Sequence, residues 1–337
     1  MAHRRDLQGR DETLGGGPVV NPVVNPVVNA VVNDGGAVVN PVGGSGGGAR
    51  KKMFKKEQCS PGENDVNGSC LDDDIVLRVG KAINRLAKKN TKLNQIDLSR
   101  SPEDIHGDIC AEISKISKCS SEACWQKIKS LMKELGSDKE EFLESFKPLM
   151  PKEWIKDYNE WLSTFEIEDC LEQHVDADKN FHFYGAVPID FHKCSVSNLC
   201  SFDMKKHLDN EKTKIGIVFN TDPSNKDGQH WISLYMDLGK HNNDSPGIYY
   251  FDSFGRKPPK EITKLIKKVQ KQGEKCNVKP YYFYNDHSYQ KHNSQCGMYA
   301  IHFIKKMIEG LSFKEYLNTS LSDKLMIDLR KDYFIKI

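Results

Sequence analysis

The sequence predicts an α+β protein, and three patterns carry that prediction. Four short apolar segments between residues 214 and 284 have strand character, one of them strictly alternating. Around them, apolar residues recur at helical spacing between cap and stop residues. Residues 1 to about 50 show neither pattern.

That N-terminal stretch alternates Pro-Val-Val-Asn with glycine-rich pieces from Pro18 to Gly48, with nothing aromatic or amphipathic to bury, so a disordered tail is expected. Pro22, Pro26 and Pro41 would interrupt strand pairing. Arg50, Lys51, Lys52, Lys55 and Lys56 close it as a basic cluster, of the kind usually solvated. The tail is therefore set at 1–56, a helical arm at 57–158 and a third region at 159–337.

In the arm, Ile75, Val76, Val79, Ile83 and Leu86 follow helical spacing behind an aspartate-rich first turn that suits the helix dipole. Ser121 and Glu122 start a second period through Trp125, Ile128, Leu131, Met132 and Leu135, which Gly136 stops. Ser137 opens a third with Phe142, Leu143 and Phe146. No arm residue suggests chemistry. In the third region, Ser163 or Thr164 caps a helix carrying Ile167, Cys170 and Leu171. Strands are expected at 214–220, 230–238, 247–253 and 280–284, with a helix at 260–272 between two prolines and Gly273. Helices through Phe313 to Leu317 and Leu325 to Leu329 finish the chain.

Composition narrows the function. With 49 basic and 47 acidic residues, the net charge of +2 argues against general binding of nucleic acid by phosphate neutralisation. No apolar run approaches the ~20 residues of a membrane span. The opening MAHRRDLQGRDETLGGG has no signal-peptide centre, so a non-secreted protein is expected. Its ten cysteines are accordingly expected to be free thiols, metal ligands or a nucleophile rather than a disulfide framework, and the compartment reducing. Cys170, His174, His192, Cys194 and Cys200 are metal-ligand types in an unusual spacing, so core thiols are expected and no metal.

Cys296 stands apart from the other cysteines. It directly precedes an apolar helical period through Met298, Tyr299, Ile301, Ile304 and Ile308, where unpaired N–H groups and the helix dipole favour a thiolate. His230 opens one strand and can serve as base, while Asp252 ends the next and can hold the imidazole in one tautomer. Gln290 can donate to the oxygen that gains charge when a carbonyl is attacked. A histidine capping a loop or an aspartate forming a turn is an ordinary feature alone. The chain order His, Asp, Gln, Cys at these element ends is far more specific.

With the pieces GQHW, YYFDS and Q-KHNSQ-CG, residues 161–337 resemble the cysteine proteases that include the adenovirus protease and the SUMO-specific proteases. Cys119-SSEA-Cys124 before an amphipathic helix, and WLSTFEIEDCL, resemble the polyprotein protease of African swine fever virus, which implies a homologue from a large DNA virus. The resemblance implies a mixed central sheet flanked by helices, with His230 as base, Asp252 as third member, Gln290 as oxyanion donor and Cys296 as nucleophile. At the third position the African swine fever virus protease carries an amide instead. The resemblance also puts Trp231, Trp161 and Gly297 at substrate; no cofactor is expected, and the basic residues Arg50 to Lys56 leave open an activating peptide or nucleic acid of the kind the adenovirus protease implies. It implies cleavage after Gly-Gly in viral polyproteins or capsid and core precursors, in virions and host cytoplasm. Removal of a ubiquitin-like modifier and an inactive binding module are the alternatives. Self-cleavage would use Gly15–Gly17, Gly35–Gly36, Gly43–Gly44 or Gly46–Gly48 in the tail.

Overall fold

A computed structural model describes residues 53–62, 68–239 and 246–336. Of the tail expected at 1–56, residues 1–52, with the glycine pairs, lie outside them, whereas residues 53–56 are described, with Met53 buried and Lys56 opening a 3-10 turn, so the expected boundary is corrected.

The arm starts at Met53, already buried. Helix α1 (Asp73–Ala87) is capped by the Asp72 carboxylate, which accepts from the Ile75 N–H, and buries Val79 and Ile83. Helix α2 (Pro102–Ile116), capped by Ser101, brings Ile105, Ile109 and Ile113 against it. Glu122–Lys127 is a 3-10 turn, and Ile128 adopts an extended conformation before α3 (Lys129–Leu135). The single helix expected from Ser121 is thus broken in two, because Ile128 leaves the helical region. Gly136, at φ 60°, ends α3, and α4 (Lys139–Glu144) follows. Trp125, Leu131, Phe142 and Phe146 complete the arm's apolar core.

After the short α5 (Lys152–Lys156), helix α6 (Thr164–Ala177) begins with a reciprocal cap: Ser163 accepts from the first turn and Glu166 accepts from the Ser163 N–H. Strand β1 (Phe181–Pro188) has no counterpart among the expected strands. Its alternation is broken by Gly185 at φ 89° and by a register shift between Phe183 and Ala186. Helix α7 (Met204–Asp209), β2 (Lys214–Asn220), β3 (Trp231–Asp237), β4 (Gly247–Phe251), α8 (Lys260–Lys275) and β5 (Tyr281–Tyr284) follow. The sheet order is β1-β2-β3-β4-β5, with parallel outer pairs and antiparallel inner ones.

Strand β3 explains why this sheet can carry a site. Ile232, Leu234 and Met236 face α8, while Trp231 and Tyr235 face helix α9 (Cys296–Ile308). Both faces are dry, so side chains at the strand ends are held in a rigid, poorly solvated frame. Helices α10 (Phe313–Leu317) and α11 (Asp323–Tyr333) close over α9.

The expectation of free cysteines is corrected. Cys59–Cys70, Cys119–Cys124 and Cys194–Cys200 are disulfides, with Cα atoms 5.1, 5.5 and 5.2 Å apart. Spacing along the chain does not reveal such approach, which folding alone creates. The cysteine count therefore no longer argues for a reducing compartment. Cys194 and Cys200, expected as core thiols, are bonded to each other, whereas Cys170 is a buried thiol that burial pushes up to about 11. Among the described residues no group of three His, Cys, Asp or Glu could hold a metal ion, and no helix is long and apolar enough to cross a membrane.

Candidate active site

Helix α9 starts at Cys296 itself, which is buried. The thiol thus lies in the first turn, among N–H groups that have no partner within the helix. Pairing of β3 with β4 brings His230 and Asp252, each one residue outside its strand, to the same sheet end. His230 Nε2–H donates to Asp252 Oδ1 at 2.7 Å, and Phe254 covers the imidazole at 5.0 Å between ring centroids. Burial disfavours the charged imidazole, but the hydrogen bonds and charges of Asp252 and Cys296 outweigh it and lift His230 from 6.5 to about 9. With Nε2 committed to the carboxylate, Nδ1 is the nitrogen left for Cys296. The raised value makes the imidazole a ready acceptor for a proton from Cys296.

Asp252 is fixed from several sides. Its Oδ1 also accepts the Phe254 N–H at 2.9 Å. Asn285, almost wholly buried, accepts the Asp252 N–H at 2.9 Å and donates to the Asp252 carbonyl at 2.7 Å. Asn285 has no part in the expected site. Its position directly after the β5 segment YYFY, opposite the end of β4, is the one signal the chain offers for it.

Gln290 is brought to the same place and held there. Ser253 Oγ–H donates to Gln290 Oε1 at 2.6 Å, and the Ser253 carbonyl accepts the N–H groups of Tyr289 and Gln290. This fixes the orientation of the side-chain amide. Nε2 donates to the His292 carbonyl, leaving its second hydrogen for an oxygen at the thiol. Ser253, by sequence only part of a turn, is the residue that aims the amide.

The three expected substrate residues fare differently. Trp231 is buried and its Nε1–H donates to the Leu162 carbonyl at 2.9 Å. Gly297 meets the same residue: a Cβ there would lie 2.9 Å from Leu162 Cβ. Both therefore fasten the segment before α6 against the start of α9. Trp161, 46% exposed, instead lines an open cleft of about 770 Å³ with Leu162, Trp231, Asn220 and Gly228. The cleft reaches the reacting groups through Trp231, next to His230, and Leu162, against Gly297.

A thiol at a helix start, an imidazole–carboxylate pair at paired strand ends and an oriented amide define the class of cysteine proteases. The model of the Ulp1 protease family, C-terminal catalytic domain, matches residues 201–337. The chain is 31% identical over 291 residues to the thiol-protease candidate R355 of Acanthamoeba polyphaga mimivirus, covering 82% of this chain and 92% of that one. It is 24% identical over 234 residues to a cysteine protease of African swine fever virus, isolate Tick/Malawi, covering 64% of this chain and 83% of the relative. The crystal structure of an African swine fever virus protease superposes with a TM-score of 0.59 at 20% identity, over 85% of this chain and 99% of that one, a likeness of fold. The chain belongs to the Ulp1 family of cysteine proteases.

Proposed function

We propose that Cys296 is the nucleophile of an endopeptidase that cuts after Gly-Gly in viral structural polyproteins or capsid and core precursors. The observation that carries the catalytic part is the convergence of Cys296, His230, Asp252 and Gln290 from separate segments on one buried network. In the reaction, the thiol proton passes to His230 Nδ1 and the sulfur attacks the scissile carbonyl carbon. The carbonyl oxygen takes the negative charge, facing Gln290 Nε2 and the Cys296 backbone N–H. Collapse breaks the C–N bond, and His230 returns the proton to the leaving amine. A water molecule, deprotonated by His230, then hydrolyses the thioester and restores the thiol.

The glycine preference is the finer part of the proposal: Trp161, Leu162 and Trp231 line the cleft, and aromatic walls of this kind would favour a substrate backbone without Cβ. One African swine fever virus relative is named a SUMO-1 cysteine protease, which brings a ubiquitin-like modifier into consideration beside the polyprotein reading. The polyprotein reading is preferred because an extended linker needs only the cleft. The test incubates the full chain with Gly-Gly linker peptides, with virion precursor proteins and with a SUMO-derived probe, and sequences the new N-termini. Cleavage after Gly-Gly in linkers and precursors is expected. Reaction with the modifier probe alone would transfer the protein to deconjugation, and no Cys296-dependent turnover of any of the three would leave a binding module.

A further inference from the structure

Helix α11 looks from its sequence like a solvated surface helix, DKLMIDLRKDY, yet Arg330 is fully buried on it. It lies on the inward face with Met326 and Tyr333, at spacings of four and three residues. Arg330 Nε and Nη2 both donate to Gln295 Oε1, at 3.2 and 3.1 Å, and Nη2 donates to the Glu160 carbonyl at 2.7 Å. Its Cζ sits 4.3 Å from the centroid of the Trp154 ring. Each of these oxygen partners is neutral.

Gln295 is the residue immediately before Cys296 and the N-cap of α9. It too is fully buried, and its Nε2 donates to the Tyr158 carbonyl at 3.1 Å. Its backbone carbonyl accepts the Tyr299 N–H at 3.0 Å. The amide therefore has one arrangement, with oxygen on the guanidinium and nitrogen on the 157–160 loop. A buried cation bonded to neutral oxygens is costly unless an anion lies near. The group that becomes anionic one residue away is the Cys296 thiol. Burial pulls Arg330 down to about 10, which leaves it charged at neutral pH, and Asp157 first, then Cys296, Glu166 and Glu160, act in the opposite sense.

We propose that Arg330 is a positioning residue for the nucleophile: it locks Gln295, and so the start of α9, and its positive charge favours the Cys296 thiolate. The proposal rests on Cys296 being the nucleophile. It assigns the C-terminal helix a part in the reaction, through a buried guanidinium that reaches the residue beside the thiol.

The test follows alkylation of Cys296 by iodoacetamide across pH, by peptide mass spectrometry of the full chain, for the parent, Arg330→Met and Arg330→Lys. Steady-state kinetics on a Gly-Gly linker peptide accompany it. Arg330→Met should raise the midpoint of Cys296 alkylation by about one pH unit, and Arg330→Lys should restore most of that shift. Arg330→Met should also lower kcat about tenfold with KM within about twofold. A folded Arg330→Met protein with the parental midpoint overturns the proposal. Should Arg330→Met not fold, Arg330→Lys decides: a severalfold lower kcat at parental KM supports the lock, and a parental kcat overturns it. Failure of the underlying reading looks different. Parental Cys296 would then alkylate no faster than Cys110 or Cys276 at neutral pH, and Cys296→Ser would leave cleavage intact.

Discussion

The arm and the catalytic half both bury polar side chains, but they use them differently. In the arm, His106 Nε2 lies 2.5 Å from Glu122 Oε1, both residues about 1% exposed, and Glu122 also accepts the Cys70 N–H at 2.9 Å. These contacts, with the disulfides Cys59–Cys70 and Cys119–Cys124, cross-link backbone segments around an apolar core. Around α9, the buried polar groups orient one another instead: Asn285 holds Asp252, Asp252 holds His230, Ser253 holds Gln290, and Arg330 holds Gln295. Loss of an arm contact should therefore appear as lost stability, and loss of a site contact as lost rate.

The largest effect is expected at the thiol. Cys296→Ala should lower kcat by roughly 10⁴-fold or more with little change in thermal midpoint, read by peptide hydrolysis and calorimetry. Gln290→Ala should cost roughly 10²–10³-fold in kcat, because an aligned donor to the oxyanion is lost. Ser253→Ala should cost about tenfold, since the amide remains but is no longer aimed. If Ser253→Ala were as damaging as Gln290→Ala, the hydroxyl would have a role beyond orientation.

Asp252→Asn should cost only about tenfold in kcat/KM. The Phe254 N–H demands an acceptor at the position of Oδ1, so the asparagine oxygen would stay there and still accept from His230. Loss of the carboxylate charge should bring the His230 value down from about 9, and the alkaline limb of the rate profile should move to lower pH with it. The linkage has a definite sign. A folded-state value above 6.5 means that His230 contributes stability in full below about 6.5, and that this contribution is lost as pH rises through about 9. Denaturant titrations between pH 6 and 10 should show that decline in the parent and a smaller one in Asp252→Asn.

The smallest effect on activity is expected in the arm. Replacing Cys59 and Cys70 with serine should leave kcat within about twofold while lowering stability by about 2–4 kcal/mol. A large loss of kcat in a folded variant would erase the contrast between the two regions.

How much is legible from the chain follows the same division. Strands expected at 214–220, 230–238, 247–253 and 280–284 appear at 214–220, 231–237, 247–251 and 281–284, because alternation and turn residues are local. The helix expected at 260–272 runs to Lys275, and Cys296 opens its helix as anticipated. Strand β1 is not legible because Gly185 and the shifted register interrupt its period, and what secures it is parallel pairing with β2. The disulfides are hidden for a related reason, since the approach of two Cα atoms is set by the whole fold.

The sequence by itself determined the element ends that carry the chemistry: a histidine before one strand, an aspartate after the next, a glutamine in a loop and a cysteine at a helix start. Those assignments rest on caps, periodicity and turn residues, which act over a few neighbours. Only the tertiary structure decided what holds them. Ser253 aims Gln290, Asn285 clamps Asp252, Trp231 and Gly297 fasten Leu162, and Arg330 reaches Gln295 from 35 positions along the chain. Burial makes each of these contacts directional and strong, and burial of a polar group is a property of the assembled core rather than of any short stretch of sequence.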